Sequence, residues 1–152
     1  YDSNSIKKII ESEPEVVSHN IETVRRLSPK VRDSRATYDQ SLSVLKKIKE
    51  INPKIYTKSS FMVGHGETKE EVIQTASDLK SANVDVITAG QYLQPSLNHL
   101  PVVEYVHPEK FASYQKIFEE MGFLHVVVGP FVRSSFQAAD FIEKIKSVKR
   151  SS

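Results

Sequence analysis

Cysteine is missing from all 152 residues, so disulfides, thiol nucleophiles and cysteine-ligated metal are excluded within this chain. A charge of one sign is nearly missing too. Lys and Arg number 21 against 19 Asp and Glu, and a net +2 gives no footing for nucleic acid, so no nucleic-acid partner is expected. No apolar run approaches the ~20 residues of a membrane span, which argues against a membrane partner. The first residues do not read as a secretory signal, because Lys7 and Lys8 interrupt a weakly apolar stretch. Zinc-type spacing is absent as well. His19, His65, His99, His107 and His125 form no i, i+4 pair, and His125 alternates within an apolar strand as a buried, hydrogen-bonded residue would. There is no G-x-S-x-G elbow for a serine nucleophile. The Lys-rich end, 144–150, reads as a solvated helix end, with contact to an acidic partner as the alternative.

What is present is ordinary for a soluble single domain: 39% hydrophobic and 26% charged residues. The organising stretch is 55–72. Residues 55–63 mix β-branched, aromatic and apolar side chains as a buried strand does. Gly64 and Gly66 break it, and Thr68 with Glu71 three positions on is a helix-opening capping box. Ligands sit at the carboxyl ends of strands in parallel α/β folds, so residues 64–67 are expected to face a site. The other reading of the two glycines is a tight connection only.

The same rhythm runs along the chain. Ile6, Ile9 and Ile10 predict a first helix stopped by Pro14, and 16–20 a short buried strand. A helical turn over 21–27 should end at Ser28-Pro29, and 32–35 is a charged loop. Leu42, Leu45, Ile48 and Ile51 place a firm helix over 38–51. Further helices are expected at 69–82, with Asn83 as its cap, at 108–121 and at 137–148, and strands at 84–88 and 123–128. The proline-punctuated stretch 96–107 stays irregular. Strands alternating with helices of ten or more residues mean βαβ crossovers and a parallel sheet. About four such units make half a barrel. The expected core is Leu42, Leu45, Ile73, Leu79, Val86, Ile87, Ile117, Phe118, Val126 and Phe141.

If the strands are parallel, one rim gathers His19, Asn20 and Glu22, then Arg32 and Arg35, then Gly64, Gly66 and Glu67. Gln91, Tyr92 and Gln94 follow, and Arg133, Ser134 and Ser135 complete it. A carboxylate, amides and arginines suit a zwitterionic, hydroxyl-rich ligand. Glu22 can accept from an amino group or a ribose, and an arginine can clamp a carboxylate. At any single position, capping of its own turn is the simpler role.

Four motifs stand in register: His19-Asn20-Ile21-Glu22-Thr23-Val24, Lys58-Ser59-Ser60-Phe61-Met62-Val63-Gly64-His65-Gly66-Glu67-Thr68, Gly90-Gln91-Tyr92-Leu93-Gln94-Pro95 and Gly129-Pro130-Phe131-Val132-Arg133-Ser134-Ser135-Phe136. Together they resemble the carboxyl-terminal half of the lipoyl synthases, radical S-adenosylmethionine enzymes. The resemblance implies the second half of a partial TIM-type barrel. It also implies insertion of sulfur at C6 and C8 of an octanoyl-lysine on a lipoyl-carrier domain or H protein. Two 4Fe–4S clusters would serve the complete enzyme, one cleaving S-adenosylmethionine and one giving up sulfur. The cluster-binding amino-terminal part is expected to be absent from residues 1–152, which read as a single-domain fragment, inactive alone. Position by position, the resemblance assigns Asn20 and Glu22 to the ribose and methionyl part of S-adenosylmethionine. It assigns Met62, Gly64 and Glu67 to the adenine side, and Ser135 or Ser134 to the auxiliary cluster. Arg32 and Gln91 join the cofactor-binding set from the rim. Ser18, His65, Val128 and Phe136 depart from the family's usual asparagine, leucine, serine and tyrosine. Arg32-Asp33-Ser34-Arg35-Ala36 with Tyr38 is similar to the organellar branch, which implies mitochondrion or plastid. The readings from other classes are a non-redox α/β module using the glycine turns as an anion nest, and a degenerate paralogue that binds a partner.

Overall fold

The computed structural model describes residues 3–133 together with 143, 146 and 147. In chain order it contains α1 (Ser3–Glu11), β1 (Val16–Ser18), a 3₁₀ turn (Arg25–Leu27) and α2 (Ser28–Val31). These are followed by α3 (Tyr38–Ile51), β2 (Tyr56–Val63), α4 (Lys69–Ser81), β3 (Val86–Gln91), α5 (Pro108–Glu120) and β4 (His125–Val128). The helix expected over 137–148, Phe141, Ser134 and Ser135 lie outside the described residues.

Local chemistry fixes the two helices that back the sheet. Thr37 and Gln40 form a reciprocal capping box at the start of α3, and Thr68 and Glu71 form one at α4. Behind α4, Asn83 takes φ +61°, the left-handed residue that lets the chain turn back. The four strands are all parallel and lie in the order β1-β2-β3-β4. The chain is therefore α/β with alternating helices, the arrangement of half of a partial βα barrel.

Register sorts the side chains between two faces. Phe61, Val63, Ile87, Ala89 and Val126 enter the main apolar core with Leu45, Val72, Leu79, Phe111 and Phe118. The alternate positions Lys58, Ser60 and Met62 share the other face with Thr88 and Gly90. On that face Ser60 and Thr88 hydrogen-bond across the strands. Lys58 is buried, and burial pulls its pKa down. A smaller cluster of Ile6, Ile10, Val44, Ile48 and Ile55 seats α1 on α3.

Several expectations need correction. Pro29 opens α2 instead of ending a turn, because its fixed φ suits a first helical turn. β3 runs on through Gly90 and Gln91, since β2 offers ladder partners at Met62 and Val63. β1 is half-buried because it pairs only with β2 among the described residues. Of the expected core, Leu45, Leu79, Val86, Ile87, Phe118 and Val126 are buried, while Leu42 and Ile117 are partly buried against it. Ile73 is only half-buried, because the inward stripe of α4 is Val72, Thr75, Ala76 and Leu79 and position 73 falls on its flank.

Candidate functional site

The rim begins where β1 gives out. Glu22 adds one isolated parallel bridge opposite Phe61: its N–H donates to the Ser60 carbonyl, and its own carbonyl accepts from Met62 N–H, both at 3.0 Å. To make this bridge Glu22 adopts φ +72°, a conformation that non-glycine residues occupy at a cost. The side chain is half-buried and has no ion pair or hydrogen bond among the described residues. It lines a cavity of about 260 Å³ with Met62, His65, Gln91, Tyr92 and Arg133.

The segment carrying Arg133 reaches the cavity because β3 has a glycine at its end. A Cβ on Gly90 would lie 2.1 Å from the Val132 carbonyl oxygen and 3.4 Å from Met62 Sδ. Arg133 itself donates from Nη1 to the Val132 carbonyl at 3.0 Å.

The structure gives other predicted residues internal work. Glu67 closes the glycine turn on itself, accepting from Gly64 N–H at 2.6 Å and from His65 N–H at 2.9 Å. Those are the donors an anion nest would need, so the non-redox nest reading loses its binding groups to the chain's own carboxylate. The Gln91 amide is equally engaged. It donates to the carbonyls of Tyr92 (2.9 Å) and Glu104 (3.0 Å) and accepts from Val106 N–H (2.9 Å). It thus braces the irregular 96–107 stretch against β3 while still bordering the cavity. Gly64 takes φ +110°, and the space its missing side chain leaves holds the Gln91 amide and the Glu104 carbonyl. Asn20 is half-buried near the end of β1 and makes no side-chain hydrogen bond among the described residues. Arg32 lines a neighbouring cavity that shares no lining residue with this one, and the Glu22 charge still acts on its guanidinium, opposing the effect of burial.

His65 was legible only as a departure from the family pattern. It is 7% exposed, its ring lies 3.9 Å from that of Tyr92 at 35°, and neither ring nitrogen has a hydrogen-bond partner among the described residues. Burial lowers its pKa, opposed by the Glu67 charge and by an interaction with the Met62 backbone. The sign of the linkage follows. As pH falls past about 6.5 the unfolded chain takes up a proton that folded His65 resists, so stability declines toward acid. His65→Leu should flatten that decline between about pH 7.5 and 5.5. It should also raise neutral-pH stability by ~1–3 kcal/mol, the cost of an unsatisfied buried polar group. Urea unfolding across that range checks both. An unchanged slope with lower stability would mean that the imidazole is satisfied in the folded protein.

Comparison with known proteins places the chain. No family model matches it. "Lipoyl synthase, apicoplast" of Plasmodium knowlesi (strain H) is 56% identical over 141 residues, 93% of this chain and 32% of that protein. The protein of the same name from Toxoplasma gondii is 56% identical over 140 residues, 92% of this chain and 26% of its own. "Lipoyl synthase" of the bacterium Shouchella clausii (strain KSM-K16) is 50% identical over 141 residues, 93% of this chain and 45% of its own. The chain thus spans between about a quarter and a half of the length of these relatives. Nearly all of its own length is nonetheless matched at half identity or better, and by that match the chain belongs to the lipoyl synthase family.

Proposed function

We propose that the chain supplies the cosubstrate-binding rim of a radical S-adenosylmethionine enzyme that inserts sulfur at C6 and C8 of an octanoyl-lysine. The observation that carries this reading is Glu22. A strained backbone, worth ~1–3 kcal/mol, holds a carboxylate with no ion pair or hydrogen bond among the described residues at a strand end inside a cavity, with the Arg32 charge nearby. In the proposed complex Glu22 accepts from the ribose hydroxyls or the amino group of S-adenosylmethionine. Asn20, with its amide uncommitted, hydrogen-bonds beside it, and Met62 packs against the ring. Gln91 and Glu67 act one step back: they fix the 104–106 backbone and the 64–67 turn that frame the cavity. Arg133 adds positive charge next to Met62 and Tyr92.

In the complete enzyme, two 4Fe–4S clusters would supply the reductive cleavage and the sulfur. Among the described residues no group of three or more His, Cys, Asp or Glu is placed to hold a metal ion. A ligand role for Ser135, or for Ser134, is supported by the Arg133-Ser134-Ser135 match alone. With no cysteine of its own, the chain is proposed to be inactive in isolation. Its partner would be the octanoylated lipoyl-carrier domain or H protein. The proposed compartment is an organelle of plastid type, with the mitochondrion as the other organellar choice. The apicoplast relatives at 56% identity against 50% for the bacterial one support the plastid.

Glu22→Ala in the complete enzyme should weaken S-adenosylmethionine binding by ~1.5–3 kcal/mol, the worth of hydrogen bonds to a charged group. Calorimetric titration measures it. Unchanged affinity in a folded variant would move the cosubstrate to another cavity.

A further inference from the structure

Arg25 and Arg26 leave the 3₁₀ turn that follows Glu22 and pin it in two directions. Arg25 donates from Nη1 to Asp39 of α3 at 2.6 Å, and its guanidinium carbon lies 4.4 Å from the centroid of the Tyr38 ring. Arg26 reaches the other way, toward the glycine turn after β2. Its Nε and Nη2 donate to the two carboxylate oxygens of Glu71, each at 2.9 Å, and Nη2 donates again to the Gly66 carbonyl at 3.1 Å. Arg26 thus ties the segment that carries Glu22 to the turn that carries His65, and both of those residues line the same cavity.

Both ends of this tie are firm. Glu71 is oriented by its capping role, since Thr68 N–H donates to its Oε1 at 2.9 Å. The Arg26 bond first, and then the Thr68 N–H, pull the Glu71 carboxyl down to about 2, so the pair stays charged through the neutral range. The stem from Glu22 to Arg26 is stiff: Thr23 and Val24 are buried, and the Val24 carbonyl accepts from the N–H groups of Leu27 and Ser28 at 3.2 and 3.1 Å. The glycine turn is committed elsewhere too, its Gly64 and His65 amides to Glu67 and its Gly64 carbonyl to Val103 and Glu104.

A non-glycine residue at positive φ stays there only when its surroundings over-determine it. The bridge to β2 fixes the Glu22 backbone on one side, and the Arg26 fork fixes the chain just beyond it. Exposed ion pairs contribute little as a rule, but a bidentate guanidinium–carboxylate pair is the geometry in which they count. We propose that Arg26 is a positioning residue: through Glu71 and Gly66 it holds the Glu22 carboxylate toward the cosubstrate cavity. Its effect on S-adenosylmethionine rests on the cosubstrate reading of that cavity, whereas its hold on the Glu22 backbone does not.

Arg26→Gln and Glu71→Gln in the complete enzyme test it, since a glutamine at 71 keeps the capping bond and loses the ion pair. Hydrogen exchange of the free enzyme reads the hold on the backbone. In both variants the Glu22 amide, bonded to Ser60, and the Met62 amide, bonded to Glu22, should exchange about two- to fivefold faster. The β2–β3 ladder at Ser59 and Ile87 and the thermal midpoint should stay as in the wild type. Calorimetric titration with S-adenosylmethionine reads the consequence. Each variant should bind about two- to fivefold more weakly. The double variant should be no worse than Arg26→Gln alone, and Arg26→Gln should add nothing once Glu22→Ala is present. Wild-type exchange at both amides overturns the proposal, and so does a loss of affinity that persists in full beside Glu22→Ala. Full affinity in Arg26→Gln, where Glu22→Ala weakens binding, overturns it too. If Glu22→Ala is itself without effect, the cosubstrate reading fails, and the exchange rates alone decide for or against the Arg26 tie.

Discussion

Truncating Phe118 to alanine should cost about 3–5 kcal/mol, the range for emptying a buried phenylalanine site. Phe118 is 0% exposed and stands where α5 meets the sheet. Its ring lies 6.2 Å from that of Phe61 on β2, tilted by 51°, and 6.1 Å from that of Tyr114 one turn back, stacked at 13°. Tyr114 has little room to collapse into the hole. It is itself 2% exposed, and burial first, then nearby acidic charges, push its phenol up to about 12. Removal of Phe118 therefore leaves a cavity bounded by a strand and by its own helix, neither of which can close it cheaply. Phe118→Leu, which keeps most of the volume, should cost less than about 1.5 kcal/mol. Denaturant unfolding measures both, and an unchanged m value would confirm that the cooperative unit is intact. A loss below about 1 kcal/mol for the alanine variant would mean that α5 does not rest on β2.

That packing was readable from the sequence because its signals are local and periodic. The apolar period of 38–51 and the Pro108 start each set an element to within a residue or two, and the Thr68–Glu71 spacing set another. Parallel order followed from the alternation of strands with helices. What failed were elements decided by neighbours. Gly90 looks like an end, yet the ladder from Met62 carries the strand through it. Ser28-Pro29 looks like a stop, yet the 3₁₀ turn before it lets the proline begin a helix.

The site divides along the same line. That Glu22, Met62, Gln91 and Arg133 would meet at one rim was legible from motif order. Which of their polar atoms remain available was not. The Glu67 carboxylate is spent on backbone N–H groups two and three residues before it, and the Gln91 amide on carbonyls up to 13 residues away. Glu67 had a local signal, since a carboxylate three residues after a positive-φ glycine can fold back onto its amide. Gln91 had none, because Glu104 and Val106 come near only after the 96–107 stretch has crossed the end of β3. Arg32 shows the converse. It belongs to the same loop that the motif suggested, but α3 places Ser41 where the guanidinium can bond it, which turns Arg32 into the neighbouring cavity.

Gly64 is where these two levels of description give different expectations, and a single substitution separates them. On motif grounds a side chain at 64 should obstruct a ligand and leave the fold alone. In the structure the missing Cβ is already replaced by protein: an added one would lie 2.4 Å from Gln91 Nε2 and 2.6 Å from the Glu104 carbonyl oxygen. The φ of +110° is strained for any residue with a Cβ. Gly64→Ala should therefore destabilise the protein by about 2–6 kcal/mol, with strain and overpacking contributing about 1–3 each. The damage should also be specific in place. Val103 and Glu104 donate their N–H groups to the Gly64 carbonyl at 2.9 and 3.2 Å, and Val106 donates to Gln91 Oε1. Those three amides should lose hydrogen-exchange protection first, while the β2–β3 ladder at Ser59 and Ile87 keeps its own. The cosubstrate affinity of the complete enzyme would fall as a consequence of the freed 103–106 backbone. If Gly64→Ala retains full stability and the protection of Val103, Glu104 and Val106, and loses only cosubstrate binding, the glycine serves ligand approach and the Gln91 brace is incidental.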